Sequence, residues 1–376
     1  MKPLRVIWLA LVLVGLPADV CAADVDGALI DKVGGLLEPR GTLDRLAKAV
    51  GQEPEEKRDL GFGNAWARFE LYGEALTLRI DVVSHRERLA GVLVTSLGGE
   101  RALLRRIQTA WGKRAKIGPR GVEVRTENAT QMKRVVRAAW QGVTAETRTG
   151  PPWQEREISG TIADPLTELT FGWACYEDGA PPEGRPTADR FWREGSSWWI
   201  DRALTGPNPE GRVYAAEVIL RWKLEGQSLG ESCSTRARRV LALDVPIRSC
   251  AGCLVSAEKA ADLVSEKIVR ESALCRVRVE ASVRGTTWIE RRILVYQDGR
   301  MMAERLAAPL ALACIPMIAR ESIPEATLSA LRTAVKAGKG FVVDDGIPTF
   351  DVKQDALADA PKAIRDLLAA LPKHVR

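Results

Sequence analysis

Histidine is almost missing from this sequence. Of 376 residues only His85 and His374 are histidine. That argues against a histidine-based metal site, and any Ser-His or Cys-His nucleophile would have to use His85. His85 sits beside Arg86, Glu87 and Arg88, which read as a charged hairpin turn rather than a catalytic base. Cysteine is missing between Cys21 and Cys175, so the first half must be held by its core alone. Low-complexity tracts are missing too, and nothing in the composition calls for large disordered regions. No apolar run reaches the roughly 20 residues that a membrane-spanning helix needs. A concentrated basic footprint is also lacking. The 55 basic and 49 acidic residues leave a net charge of +6, spread along the chain. Such a mild bias does not describe a nucleic-acid binder.

What is present begins with Met1, Lys2, Pro3, Leu4 and Arg5, a short positive stretch. An apolar run follows from Val6 to Leu16, ended by Pro17 and Asp19, with small residues at Cys21, Ala22 and Ala23. This is the layout of a secretory signal peptide cut after Ala22 or Ala23. Asp19 and Val20 before Cys21 depart from a lipoprotein signal, so no lipid anchor is expected. The remaining cysteines are Cys175, Cys233, Cys250, Cys253, Cys275 and Cys314, an even set that reads as disulfide candidates in an exported chain.

Periodicity divides the rest. Residues 1–22 read as the signal peptide and 23–148 as an N-terminal α+β domain. Residues 149–211 read as a turn-rich, tryptophan-rich connecting region, and 212–376 as a C-terminal α+β domain with disulfides. In the first domain a helix is predicted over 42–50. A hairpin follows over 65–72 and 76–82, then a strand over 89–95, a helix over 100–111, a strand over 122–126 and a helix opened by Asn128. In the last domain a strand is predicted over 212–223, because Tyr214, Ala216, Val218, Leu220 and Trp222 alternate. A strand over 238–245 and a helix over 257–271 capped by Ser256 come next. A hairpin about Gly285, a third strand, a helix over 325–336, a strand over 341–343 and a helix over 361–371 close the chain. The predicted class is α+β, with antiparallel hairpin-based sheets and helices packed on one face. Both halves read as β-β-β-α-β-α. This is either a duplicated unit or an order common among such domains.

The thiol motif is Cys250-Ala251-Gly252-Cys253, between a predicted strand and a predicted helix. A helix N-terminus lowers the pKa of a nearby thiol. The order strand, CxxC, helix resembles the thioredoxin family's active-site layout, and Pro348 in Gly346-Ile347-Pro348-Thr349 would correspond to that family's cis-proline. The resemblance implies a thiol–disulfide oxidoreductase with Cys250 as nucleophile and Cys253 as resolving thiol. It covers only a few residues at each of two places, and no aromatic residue precedes Cys250. A structural disulfide is the plainer reading.

Other motifs are weaker. Gly226-Gln227-Ser228-Leu229-Gly230 matches a nucleophile elbow but reads better as a glycine-rich turn. The adjacent pairs Glu177-Asp178 and Asp344-Asp345 would point to opposite faces of a strand. Trp153, Trp173, Trp192, Trp198 and Trp199 could stack on a sugar or a peptide, although tryptophan more often belongs to the core. Arg105, Arg106, Lys113, Arg114, Lys116, Lys133, Arg134 and Arg137 read as solvated helix faces, with contact to anionic lipid or polysaccharide as the alternative. The sequence therefore predicts an exported, soluble, non-catalytic binding or structural protein of the cell envelope, periplasmic or secreted. Its partner would be an envelope protein or a polysaccharide. No cofactor, metal, nucleic acid or membrane span is expected in the mature chain. A thiol–disulfide oxidoreductase and a carbohydrate-active protein stand as alternatives.

Overall fold

The computed structural model describes residues 18–97, 101–118, 121–146, 150–175, 179–227, 229, 231–252, 254–283, 286–305 and 317–376. The chain forms two compact units, divided between Ala138 and Ala139.

In the first unit the chain runs α1 (Ala18–Gly34), α2 (Leu43–Val50), β1 (Glu56–Gly61), β2 (Asn64–Tyr72), β3 (Thr77–His85), β4 (Arg88–Leu97), α3 (Arg101–Trp111), β5 (Ala115–Gly118) and β6 (Gly121–Glu127), and α4 (Ala129–Val143) crosses the division. Its sheet has the order β1-β2-β3-β4-β6-β5, antiparallel throughout. The predicted alternation is the cause of the core. Ala67, Phe69 and Leu71 on β2 lie level with Val82, Ile80 and Leu78 on β3, and all face one side. Ile30 and Val33 of α1, Leu43, Leu46 and Val50 of α2, and Ile107 and Trp111 of α3 close over them. Two predicted caps are in place. The Thr42 side chain accepts from Arg45 N, and Asn128 Oδ1 accepts from Gln131 N at 3.2 Å. The expected cleavage point lies within α1. The residues that anchor this helix follow it, since Asp26 accepts from Glu74 N and Ala75 N, and Ile30 O accepts from Trp111 Nε1.

The second unit takes in the tryptophan-rich residues, which supply β7 (Phe171–Cys175), α5 (Gly184–Glu194) and α6 (Ser197–Thr205). Then come α7 (Pro209–Leu224), α8 (Glu231–Leu241), β8 (Ile247–Gly252), β9 (Leu254–Glu258), α9 (Ala260–Leu263) and α10 (Glu266–Glu271). The chain ends with β10 (Ala273–Val283), β11 (Thr286–Tyr296), β12 (Arg300–Arg305), β13 (Met317–Ser322), α11 (Glu325–Ala337), β14 (Phe341–Asp344), β15 (Ile347–Lys353) and α12 (Lys362–Ala370). A six-stranded sheet has the order β13-β12-β11-β10-β15-β14, and a small sheet the order β7-β8-β9. One face of the large sheet, with Val277, Val279, Ile293, Val295 and Ala303, packs against Leu328 and Leu331 of α11 and Ile364 and Leu367 of α12. The other face carries Arg278, Arg292, Arg300 and Arg320, and it meets the C-terminal end of α7.

The α+β class holds, and three element readings do not. The stretch predicted as a strand over 212–223 is helix α7. Nearly every residue of α7 is buried, so it has no polar face to impose a helical period, and the chance alternation of Tyr214, Ala216 and Val218 took its place. The start signals were Pro209 at the first turn and Asn208, whose Oδ1 accepts from Gly211 N at 3.0 Å. The first half of the stretch 238–245 is the end of α8, whose inward side is only Ala237 and Val240, and the second half is irregular. The helix predicted over 257–271 is instead β9 and two short helices. Ser256 caps nothing and bonds to Ser249 and Glu258, while Ser265 caps α10 by accepting from Ile268 N.

The order four-strand meander, helix, hairpin, helix occurs twice along the chain, each time with one more strand before each helix than the predicted β-β-β-α-β-α. The topology is not repeated. In the first unit β6 pairs antiparallel with the last meander strand, β4. In the second, β15 pairs parallel with the first meander strand, β10.

Candidate functional site

Helix α7 brings ionisable side chains into the interior of the second unit. Glu217, Arg221 and Glu225 recur every fourth residue and so share one stripe of the helix. Burying such groups is costly unless they are paired and hydrogen-bonded. The pairs come from other elements. Glu217 Oε2 accepts from Arg185 Nη1 of α5 at 2.8 Å, and its Oε1 accepts from Arg221 Nε at 2.8 Å. Arg300 of β12 binds Asp298 at 2.6 Å and Asp189 of α5 at 2.5 Å. Glu225 accepts from Trp192 Nε1 at 2.6 Å, Tyr296 Oη at 2.9 Å and Arg320 Nε at 3.0 Å.

Trp173 of β7 sits among these arginines. The guanidinium carbons of Arg185, Arg300 and Arg221 lie 3.7, 4.2 and 4.7 Å from its ring centre. Three cations around one indole is cation–π contact on a scale that fixes the ring. The strand itself is fixed as well. Gly172 packs so closely on Cys250 that a Cβ there would lie 2.7 Å from the Cys250 carbonyl oxygen. Gly172 N donates to Tyr214 Oη, and its carbonyl accepts from Arg185 Nε. At the end of the strand, Cys175 is disulfide-bonded to Cys250 across the parallel β7–β8 pair, with Cα atoms 5.5 Å apart.

Burial and charge set the protonation states. Burial alone would raise Glu217, but Arg185, Arg221 and Arg300 hold it below the usual carboxylate range. Asp298 is likewise held low, by Arg300 and Arg221 against the cost of burial. Asp189 is raised, because burial outweighs the attraction of Arg300 and Arg185. Tyr214 and Tyr296 are pushed up by burial and remain phenols.

Beneath Trp173 lies a cavity of about 180 Å³. Phe171, Leu263, Val264, Ile268 and Val269 form its apolar walls, and Glu217, Arg221, Ser272, Gln297 and Asp298 its polar part. Trp173 is 40% exposed and Ile268 36%, so two of the lining residues reach solvent. Arg221 is 1% exposed, and its buried Nη1 has no hydrogen-bond partner among the described residues. The cavity therefore combines apolar walls with a polar end that includes Arg221. Glu217 is fully engaged by arginines and Cys175 is oxidised, so neither supplies a free base or nucleophile.

The thiol motif is built differently from its expected form. Cys250 lies in β8, followed by the turn at Gly252 and by strand β9, so no helix N-terminus faces it. Its partner is Cys175, and Cys253 lies outside the described residues. Pro348 lies in β15 of the other sheet, and among the described residues no peptide bond is cis. Cys233 and Cys275 are free thiols, and Cys314 lies outside the described residues. Burial pushes the Cys275 thiol up to about 12. Ser228, Gly230 and the pair Glu177-Asp178 also lie outside the described residues. Gly226, Gln227 and Leu229 of the elbow stretch lie between helices α7 and α8 rather than between two strands. Asp344 is engaged by Arg276 and Arg278, and Asp345 by Arg270. His85 donates from Nδ1 to Asn64 Oδ1, because the Asn64 amide nitrogen is already committed to Val135 O. Trp153 and Trp192 are core residues, and Trp198 is exposed at the surface beside Trp199 and Arg202. Arg105, Arg106, Lys113, Arg114, Lys116, Lys133, Arg134 and Arg137 are exposed. Among the described residues no group of three or more His, Cys, Asp and Glu could hold a metal ion.

Arg185, Glu217, Arg221, Asp298 and Arg300 were not singled out from sequence. A signal existed: Glu217, Arg221 and Glu225 are charges four apart inside an otherwise apolar stretch. No protein-family model, no curated protein and no solved structure matches the chain.

Proposed function

We propose that this is a binding protein, not an enzyme, whose ligand is a small apolar molecule with an oxygen-bearing head. The observation that carries the reading is the cavity of about 180 Å³ itself, with mostly apolar walls, Arg221 at its polar end, and Trp173 and Ile268 reaching solvent. Arg221, Ser272 and Gln297 at its polar end carry hydrogen-bond donors, which suit an oxygen-bearing head. Cavity size limits the body. An apolar cavity of about 150 Å³ takes benzene, so a single aromatic ring or a short branched chain suits this one. The preferred class is an arylacetic acid or its amide. Of the polar residues in its walls, Glu217 and Asp298 are already engaged by arginines, which leaves few groups for the hydroxyls of a sugar and disfavours the carbohydrate alternative.

Export is part of the proposal. Its support is the signal-like opening of the sequence and the Cys175–Cys250 bond, which an oxidising compartment would preserve. Among the described residues no helix is long and apolar enough to cross a membrane. The disulfide links the strand that carries Trp173 to its neighbour, which is a structural use of Cys250 and does not favour the oxidoreductase reading.

The test is calorimetric titration of the full chain with phenylacetate and phenylacetamide. The expected result is saturable binding at one site, weakened about tenfold or more in Arg221→Met. No saturable heat with either compound, or equal affinity in Arg221→Met, would overturn the assignment.

A further inference from the structure

Strand β14 closes one edge of the second unit's large sheet, and among the described residues no strand lies beyond it. Natural sheet edges are guarded by charge, by proline or by a covering element. The edges β1 and β13 follow that rule, with Glu56, Lys57, Arg58 and Asp59 on one and Arg320 and Glu321 on the other. The run Phe341-Val342-Val343 has no such guard. Val342 is 57% and Val343 78% exposed, two β-branched apolar residues on opposite faces of one strand. Phe341 packs on Phe350 and the helix-side core, with ring centres 5.3 Å apart, so Val343 shares that side. Its exposure means that neither α11 nor α12 covers the edge.

The hairpin fixes which backbone groups are open. Asp345 and Gly346, with φ of +51° and +74°, form a two-residue turn of the type I′ kind, and Asp344 faces Ile347 across it. The closing pair of such a hairpin exchanges hydrogen bonds, and so does the pair two residues back, Val342 with Thr349. Phe341 and Val343 therefore turn their N–H and C=O groups outward. Phe341 N donates to Gly338 O at 3.3 Å. The Val343 N–H and the Phe341 carbonyl have no neighbouring strand on that side.

We infer that β14 docks antiparallel on β14 of a second copy of this chain, about a two-fold axis at Val342. Three features select that register. The open backbone groups meet, since Val343 is level with the partner's Phe341 and its N–H donates to that carbonyl. The side chains match, since Val343 lies beside the partner's Phe341 on the helix side and Val342 meets the partner's Val342 on the other. The charges match as well. Lys339 and Asp345, both exposed, stand three residues from the axis in opposite directions, so each lysine faces the partner's Asp345. Asp345 also binds Arg270 of its own chain, and with 57% of its side chain exposed it keeps room for a second cation. An axis at Val343 would set Val342 against Asp344 and Phe341 against Asp345. The exposed edge strand β9 offers no such self-match, because an axis at Ser256 sets Leu254 against Glu258. Four residues a side make a weak, concentration-dependent dimer.

The experiment is sedimentation equilibrium of the full chain from ~5 to ~500 μM. A dimer that grows with concentration is expected, weakened about tenfold or more in Val343→Lys, which brings a charge to the edge. Leu254→Lys, in β9, should associate as the parent does. Val343 and Leu254 are both exposed, so neither variant disturbs the core. The register is read by oxidation with diamide. An axis at Val342 brings the two copies of that residue to about 4.5 Å between Cα atoms, within reach of a disulfide. Val342→Cys should then form a covalent dimer faster than Val343→Cys, with the parent as background for Cys233. A monomer at every concentration would overturn the inference and leave the edge to a strand of another protein. A dimer lost in Leu254→Lys but not in Val343→Lys, or equal cross-linking of the Val342 and Val343 variants, would overturn it too.

Discussion

Replacing Glu217 by glutamine removes one negative charge that two buried arginines share. Glu217 and Arg185 have side chains 3% and 4% exposed and 2.8 Å apart, and Arg221 is as close on the other oxygen. The glutamine oxygen can still serve one arginine. Its amide group then meets the other, donor against donor, and leaves a charge unpaired in the interior. Breaking a buried pair in this way costs about 3–5 kcal/mol. Coulomb's law at an effective dielectric constant of 20 gives a similar figure, about 4 kcal/mol for charges ~4 Å apart. For a unit of this size each kcal/mol lowers the melting temperature by roughly 2–4 °C, so a fall of about 10 °C is expected. The assay is urea and thermal unfolding of parent and Glu217→Gln as a function of pH. Because the folded-state pKa of Glu217 is depressed, its contribution is fully present above its unfolded value. It disappears as pH falls through the folded one. The two stability curves should therefore run parallel at neutral pH and converge in acid. A loss below about 1 kcal/mol, or a difference that does not change with pH, would refute the reasoning.

Further expectations follow from the same geometry. The Cys175–Cys250 bond closes a separation of 75 residues. A double Cys→Ser variant should lose about 4.5 kcal/mol in chain-entropy terms, checked by unfolding with intact and reduced parent as references. A loss near zero would mean that the bond contributes little to the fold. In the native protein a thiol reagent should modify half-buried Cys233 before Cys275, whose reaction should await unfolding. Mass mapping of the labelled sites decides it. His85 is lowered by burial, then by Arg86 and Arg134. The unfolded state then binds the proton more readily, so stability should fall as pH drops below about 6.5. His85→Gln should flatten that limb, and an unchanged pH profile would remove His85 from the account.

The first unit was legible because each of its long strands buries one face. Alternation at Phe69, Leu71, Leu78 and Ile80 states which side is inward, and Asn128 states where a helix begins. The outer sheet of the second unit was readable for the same reason, through Val277, Val279, Ile293 and Val295. The region that builds the site was not. Helix α7 is buried all round, so hydrophobicity carries no helical period there, and its paired charges broke the run at intervals that imitate alternation. The site also depends on contacts far apart in sequence. Arg185 reaches Glu217, and Arg300 reaches Asp189 across 111 positions, so no local pattern could announce either pair. The cysteine motif failed differently. Spacing suggested Cys250 with Cys253, whereas the parallel β7–β8 pairing brings Cys175 beside Cys250.

The central claim is that the cavity beneath Trp173 receives an apolar ligand whose head reaches Arg221. The most direct measurement is the tryptophan emission of the parent minus that of Trp173→Phe, followed during titration with phenylacetate. The difference isolates one indole among 11 tryptophans. A saturable change in intensity and a shift to shorter wavelength are expected as the ligand displaces solvent from the ring, both lost in Arg221→Met. A Trp173 signal that stays flat while phenylacetate binds elsewhere, or no binding at all, would contradict it.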